Sequence, residues 1–468
     1  MSRVHFIGVC GTAMATVAAM LKQRGADVSG SDKDVYPPMS TFLEREGVPV
    51  HLGYDAGRIT SELDLVVVGN AISRGNVELE EVLDRKIRYC SLPELIRDRF
   101  LWGAQSVVIA GTHGKTTTTS LVGWLLTEGG LDPTVLIGGI AANFESSYRL
   151  GGGRPFVVEG DEYDSAYFDK TAKFLKYLPD VAVVGNVEFD HADIYPDLEA
   201  VFLAFRRFVH LVPRRGLVVL GADSEHAMRL RPFAHCRVET VGFAADADWR
   251  AADLEVTPQG TRFSVYRAGA PVDLFEVPLL GHHNVRNALV GIAVGRALGV
   301  PVETLKAALP GFRGVRRRLE LRGEVAGIRV YDDFAHHPTA VAETLAALRM
   351  AHPDRRLWAL FEPRSATSCL RVFEADFVRA LAIADEVIVA AVFRTSVPDE
   401  RRLSAEAVVA EIVSRGGSAR YVPATEDIVR IVAREARATD MVVIMSNGGF
   451  DRVHERLLAA LRERDAPA

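Results

Sequence analysis

Cysteine is scarce. Four occur in 468 residues (Cys10, Cys90, Cys236 and Cys369), far apart and without a C-x-x-C pair. That speaks against a disulfide framework or a zinc knuckle and fits a reducing cytoplasm, with the thiols serving as packing. Long apolar runs are missing too. Apolar runs such as Leu65–Val68 and Met441–Met445 have strand length, far short of the roughly 18 residues a membrane span needs. There is no basic excess: 55 Lys and Arg face 61 Asp and Glu, a net charge of −6, which argues against a nucleic-acid binder but leaves room for a local cationic pocket. Met1-Ser2-Arg3-Val4-His5 enters a strand at once, without a signal-peptide pattern. Internal repeats and low-complexity segments are likewise absent.

What is present is ordinary globular material, 48% hydrophobic and 25% charged, long enough for about three domains. Short apolar runs alternate with helical patterns throughout, which predicts an α/β fold with parallel sheets. The pattern divides into 1–105, 106–312 and 313–468. The stretch from about Cys236 to Val277 is expected to be β-rich, and a helix is expected after Asn284.

The sharpest local signal is Gly111-Thr112-His113-Gly114-Lys115-Thr116-Thr117-Thr118, behind the strand Ser106–Ala110 and ahead of a helix. A phosphate loop requires that context, because exposed backbone N–H groups and a helix N-terminus must face an anion. Gly111, Thr112, His113, Gly114, Lys115, Thr116 and Thr117 are the expected ATP cradle. Lys115 would reach the β- and γ-phosphates, and a threonine hydroxyl would serve Mg²⁺. Two residues separate these glycines, where the general loop has about four; an ordinary glycine-rich turn is the competing reading. Two further strands run into Glu159-Gly160-Asp161-Glu162 and into Asn186-Val187-Glu188-Phe189-Asp190-His191. In a parallel sheet both would end at the same carboxyl edge as the loop. Thr116, Glu159 and His191 are therefore the expected metal ligands, completed by water and phosphate oxygens.

Gly8-Val9-Cys10-Gly11-Thr12-Ala13-Met14 follows the first strand but lacks the close G-x-G pair, so NAD is a poor reading and a nucleotide diphosphate a better one. Asp32 ends the second strand, where a ribose-binding acid sits. A tight packing turn is the alternative. Later, Asn284 and Asn287 open an Ala-rich helix, suited to capping or to a base. Gly314-Val315-Arg316-Arg317-Arg318 is a basic linker. Asp332-Asp333-Phe334-Ala335-His336-His337-Pro338 suggests substrate contacts or capping rather than zinc. Phe361-Glu362-Pro363-Arg364-Ser365 ends a strand with a guanidinium suited to a carboxylate. Ser446-Asn447-Gly448-Gly449-Phe450 closes the last strand in a loop.

Taken in order, the Gly8–Met14 turn, Gly111–Thr118, Glu159, Asn186–His191, His283–Asn287, Arg316–Arg318 and Asp332–Pro338 resemble the Mur ligase family across essentially the whole chain. The resemblance implies a Rossmann-like UDP-binding domain, a central P-loop ATPase domain and a C-terminal Rossmann-like domain. It implies an ATP-dependent ligase that forms a C–N bond, with ATP and Mg²⁺ as cofactors and small-molecule partners, neither nucleic acid nor membrane. Tyr36–Thr41, Glu159–Asp164, Phe361–Ser365, Ser446–Phe450 and the length of Tyr167–Phe174 are most similar to one branch of the family. Its members join UDP-N-acetylmuramate to the murein tripeptide L-alanyl-γ-D-glutamyl-meso-diaminopimelate. The L-alanine-adding branch is the alternative, and a P-loop ATPase switch the alternative of another class.

The family chemistry implies an acyl phosphate, formed at the γ-phosphorus and then attacked by the peptide amine. By the same resemblance Lys115, His191 and His336 are catalytic, with His336 orienting or deprotonating the amine. Arg364 grips a peptide carboxylate, and Asn284, Asn287 and Arg318 lie at ATP. Gly11, Thr12, Ala13 and Asp32 lie at the uridine diphosphate. One departure stands out: several family members carry a carbamylated lysine in the helix matching Phe202–Phe208, and this chain has no lysine between Lys176 and Lys306.

Overall fold

The computed structural model describes residues 2–36, 38–394 and 397–465. Met1, in the start read as running into a strand, and Pro37, within Tyr36–Thr41, lie outside them. The chain divides into two compact units. The first comprises Met1–Glu188, Glu199–Ala247 and Val290–Leu305; the second comprises Phe189–Leu198, Asp248–Leu289 and Lys306–Ala468.

The first unit holds two sheets. β1 (Arg3–Ile7), β2 (Asp27–Asp32), β3 (Val50–Leu52), β4 (Leu65–Val68) and β5 (Tyr89–Ser91) form an all-parallel sheet in the order β3-β2-β1-β4-β5. Val66, Val67 and Val68 are all buried, as a strand covered on both faces requires. One face packs Ile7, Val66 and Val68 against Leu79 and Val82 of the helix Val77–Asp84. The strand order reverses between β1 and β4. That switch point is where an open α/β sheet leaves a crevice for a ligand, and the Gly8–Ala13 turn and the residues after β4 meet there. The Gly69 N–H donates to Ile7 O (2.9 Å).

The second sheet uses β6 (Gln105–Ala110), β7 (Thr134–Ala141), β8 (Ser146–Arg149) and β9 (Pro155–Glu159). A separate hairpin, β10 (Asp164–Ala166) with β11 (Asp169–Ala172), follows. β12 (Val181–Val184), β13 (Leu217–Gly221) and β14 (Arg237–Gly242) complete the sheet, in the order β14-β13-β12-β6-β9-β7-β8. β6 lies between β9 and β12 and is parallel to both, with Ile109 opposite Glu159 and Ala110 opposite Val184. The segments after these three strands therefore leave the sheet at one edge.

In the second unit β15 (Trp249–Thr257), β16 (Gly260–Arg267) and β17 (Ala270–Val277) form an antiparallel meander. β18 (Glu320–Val325), β19 (Ile328–Asp333), β20 (Leu357–Phe361), β21 (Glu386–Val389), β22 (Ala419–Tyr421) and β23 (Met441–Met445) form a six-stranded sheet in the order β18-β19-β23-β20-β21-β22. Alternation sorts its side chains. Leu357, Ala359, Phe361, Met441, Val443 and Met445 join one core, and Trp358, Leu360, Val442 and Ile444 the other. Asp333, Phe361 and Met445 are level in register, so the loops after β19, β20 and β23 share an edge.

The expected helix after Asn284 starts earlier. It spans His282–Ala297 and places Asn284 in its first turn. Among the described residues no helix is long and apolar enough to cross a membrane.

Candidate active site

The loop after β6 is shaped by its glycines. Gly111 has φ +135° and Gly114 φ +78°, conformations that side chains resist. A Cβ on Gly111 would also lie 3.2 Å from the Asn186 backbone. Gly114 caps the helix Lys115–Glu128 without offering it a side chain, and the positive end of that helix faces the loop, as anion binding requires. The segment after β12 clamps the loop. Asn186 Oδ1 accepts from the His113 N–H (2.7 Å) and Asn186 O from the Thr112 N–H (3.1 Å). The Glu188 N–H donates to Thr112 Oγ1 (2.8 Å), and the Glu188 carboxylate lies 3.2 Å from His113 Nε2.

The segment after β9 supplies carboxylates. Thr116 Oγ1 donates to Glu159 Oε1 (3.1 Å), and the Gly138 N–H donates to Glu159 Oε2 (2.8 Å). Lys115 Nζ donates to both oxygens of Glu162 (2.9 and 3.1 Å) and to Gly111 O and Thr112 O (2.8 and 3.2 Å). Burial alone would lower the lysine pKa. The Glu162, Asp161 and Glu159 carboxylates outweigh it and hold the group above its ordinary value, so the ammonium stays charged. Thr117 is buried in the first turn of the helix.

At the first sheet's edge, the helix Thr12–Gln23 starts without a side-chain cap, and Gly11, Thr12 and Ala13 are exposed. That is a second open helix N-terminus. The Asp32 carboxylate accepts from the Cys10 N–H (2.8 Å) and so braces the turn.

In the second unit Asp190 is the hub. It accepts from Thr367 Oγ1 (2.5 Å) and from the His191 N–H (2.7 Å), and its Oδ2 lies 3.8 Å from His336 Nε2 and 4.0 Å from His191 Nε2. Burial pushes its carboxyl up, but His191, His336, the Thr367 bond and His337 together hold it well below the usual carboxylate range. His336 Nδ1 lies 3.0 Å from Phe334 O, which fixes the ring. Asn284 Nδ2 donates to Leu280 O (2.8 Å) and its Oδ1 accepts from Asn287 Nδ2 (3.1 Å), so this asparagine ties the helix entry to the preceding turn. The Arg318 guanidinium sits 5.0 Å from the Phe334 ring centroid. Arg364 is 3.6 Å from the Phe393 centroid, and its Nη1 lies 3.5 Å from Glu362.

Three family models match in succession. They are the catalytic domain of the Mur ligase family over residues 3–99, the Mur ligase middle domain over 109–295 and the Mur ligase glutamate ligase domain over 317–448. The chain belongs to the Mur ligase family. It carries the three Mur ligase domains in an α/β fold.

Among family members, the UDP-N-acetylmuramate–L-alanyl-γ-D-glutamyl-meso-2,6-diaminoheptandioate ligase of Haemophilus influenzae is 40% identical over 99% of this chain and 100% of its own. The enzyme of the same name from Escherichia coli is 39% identical over 99% of each. A murein peptide ligase structure from Psychrobacter arcticus matches with TM-score 0.72 and 35% identity, over 98% of this chain and 99% of that one. A UDP-N-acetylmuramate-alanine ligase structure from Thermotoga maritima, 24% identical over 99% and 100% of the two chains, has TM-score 0.81 and speaks to the fold alone.

Each unit holds polar residues that the sequence did not single out. Glu162 and Asp190 lie inside the quoted segments, but nothing in their spacing says that one would meet Lys115 or that the other would anchor two histidines. Thr367 meets Asp190 across 177 positions and carries no local signal.

Proposed function

We propose that this chain joins UDP-N-acetylmuramate to L-alanyl-γ-D-glutamyl-meso-diaminopimelate at the expense of ATP, releasing ADP and phosphate, as a step in murein recycling in the cytoplasm. One observation carries the choice: full-length identity of 40% to a peptide-adding ligase, against 36% to an L-alanine-adding ligase from Desulfatibacillum aliphaticivorans. We place the domain boundaries near 105 and 312.

In the first step the lactoyl carboxylate attacks the γ-phosphorus, so two anions must approach. Lys115 and the N-terminal end of the helix Lys115–Glu128 offset that repulsion where charge develops. The donor set around Thr116 fits Mg²⁺, since a hydroxyl and a carboxylate already fixed by the Gly138 N–H are hard oxygen ligands. Thr116 and Glu159 would hold that ion, which supplies charge neutralisation on the phosphates when bound. His191 is assigned to metal as well. Asn284, Asn287 and Arg318 are assigned to ATP. Gly11, Thr12, Ala13 and the Asp32-braced turn are assigned to the uridine diphosphate.

In the second step a neutral amine attacks the acyl carbon and expels phosphate. His336, ordered by Phe334 O and facing Asp190, is assigned to orient that amine or take its proton. Arg364 is assigned to a peptide carboxylate. The test is ADP release with UDP-N-acetylmuramate alone, tripeptide alone, and both. Release that requires both supports the reading, and turnover indifferent to both overturns it. Equal or better turnover with L-alanine in place of tripeptide assigns the chain to the L-alanine-adding branch.

A further inference from the structure

The β10–β11 hairpin belongs to neither sheet of the first unit, yet its first strand is buried. Asp164, Ser165 and Ala166 are 8%, 1% and 0% exposed. Its tip reaches the first sheet. Phe168 meets the ring of Tyr89 edge-on at 5.2 Å, and Tyr167 packs on the Ile7, Val66 and Val68 cluster. Its base does so by a polar contact, in which Asn70 Nδ2 donates to Asp164 Oδ1 (3.1 Å) while Lys170 holds the other oxygen (2.5 Å). Asn70 lies just after β4, at the switch point beside the Gly8–Ala13 turn.

The residues leading into the hairpin are the ones that line the phosphate loop. Within six positions, Glu159 meets Thr116, Glu162 meets Lys115 and Asp164 meets Asn70. One short segment thus touches both sheets of the unit at their ligand-facing edges. A buried carboxylate is a costly way to join two surfaces that apolar packing would also join; what it adds is a fixed geometry.

We infer that this hairpin is a bracket, with Asp164 and Asn70 as positioning residues that set the switch-point turn relative to the phosphate loop. The inference rests on the reading that the turn holds the sugar nucleotide. If so, the bracket sets how closely the lactoyl oxygen approaches the γ-phosphorus. Reacting atoms must come within about 3–3.5 Å, and an error near 1 Å costs up to about 100-fold in rate.

The test is steady-state kinetics on Asn70→Ala, Asp164→Ala and the double variant, alongside their melting temperatures. Each single variant should lose about 10- to 100-fold in kcat, with KM for ATP nearly unchanged, and the double variant should lose no more than the worse single. Asp164→Asn keeps the acceptor oxygen and should retain near-normal kcat. Unchanged kcat in the single variants, fully additive losses, or Asp164→Asn as impaired as Asp164→Ala would each overturn the bracket. A wild-type enzyme whose ADP release ignores UDP-N-acetylmuramate would instead overturn the functional reading, and the bracket with it.

Discussion

Lys115 and Glu162 satisfy each other. The ammonium lies within hydrogen-bond distance of both carboxylate oxygens, and Glu162 is almost wholly buried. A triphosphate drawn to Lys115 must therefore compete with an internal carboxylate already in place. Glu162→Gln keeps the shape but removes the charge. Its ligand-free form should melt lower, since an uncompensated buried partner costs up to about 3–5 kcal/mol. Calorimetry should show ATP binding several-fold more tightly, and ATP should raise the melting temperature more than in the wild type. Weaker ATP binding would mean that Glu162 holds the nucleotide rather than its competitor's place.

The Thr116–Glu159 hydrogen bond marks where Mg²⁺ is proposed to enter. Glu159→Gln should raise the Mg²⁺ concentration for half-maximal ADP release about tenfold or more and lower kcat by about 100- to 1,000-fold, the usual scale for losing one preorganised electrostatic group. Thr116→Ser keeps the hydroxyl and should stay near wild type, whereas Thr116→Val should not. Identical Mg²⁺ titration curves for all three variants and the wild type would refute the assignment.

The elements legible in the sequence are those whose signal is local. β4, β6, β9, β12 and β23 are Val/Ile-rich runs, and Gly111–Thr118 announces its own turn and helix. β3, β5 and β22 span three residues each, with His51, Tyr89 or Arg420 among them. Only pairing with a neighbour makes them strands, and pairing is not a local property. The site divides in the same way. Thr116 and Glu159 follow from strands that end at one edge. The Lys115–Glu162 pair spans 47 positions, and an acidic run does not say which carboxylate will meet the lysine. His191 drew attention as a metal-type residue, while the group its neighbours converge on is Asp190, whose partner Thr367 lies in another segment.

All four thiols are pushed toward the neutral form. Burial first, and then the Asp32 charge, raises Cys10 to about 11, and burial raises Cys90 to about 12. Cys236 and Cys369 also lie above the ordinary value, chiefly through burial. A raised thiol pKa means neutral thiol below it and thiolate only above. At pH 8 Cys10 should thus carry roughly 0.1% thiolate, about 200-fold less than a free cysteine. Iodoacetamide labelling followed by peptide mass spectrometry should show that deficit and a rate still climbing with pH at pH 9. Labelling of Cys10 at the rate of a free thiol at pH 8 would contradict the account.

Gly448 and Arg364 make the sharpest steric prediction. A Cβ on Gly448 would fall 2.1 Å from Arg364 Nε and 2.2 Å from its Cδ, so the stem of Arg364 occupies the space a side chain would need. On its other sides the guanidinium has the Phe393 ring and Glu362, itself fixed by the Ser446 hydroxyl (2.5 Å). Gly448 is not among the left-handed glycines, so an alanine there has no backbone strain to add. Gly448→Ala must therefore displace Arg364, at an overpacking cost of about 1–3 kcal/mol. If Arg364 grips the incoming peptide, that cost falls on one substrate. KM for the tripeptide should rise about 5- to 150-fold, while KM for ATP and for UDP-N-acetylmuramate hold steady. Arg364→Ala should give the same selective pattern, and combining the two should add little, because the second change removes what the first displaces. Equal rises in all three KM values would reduce Gly448→Ala to a general packing defect and remove Arg364 from peptide recognition.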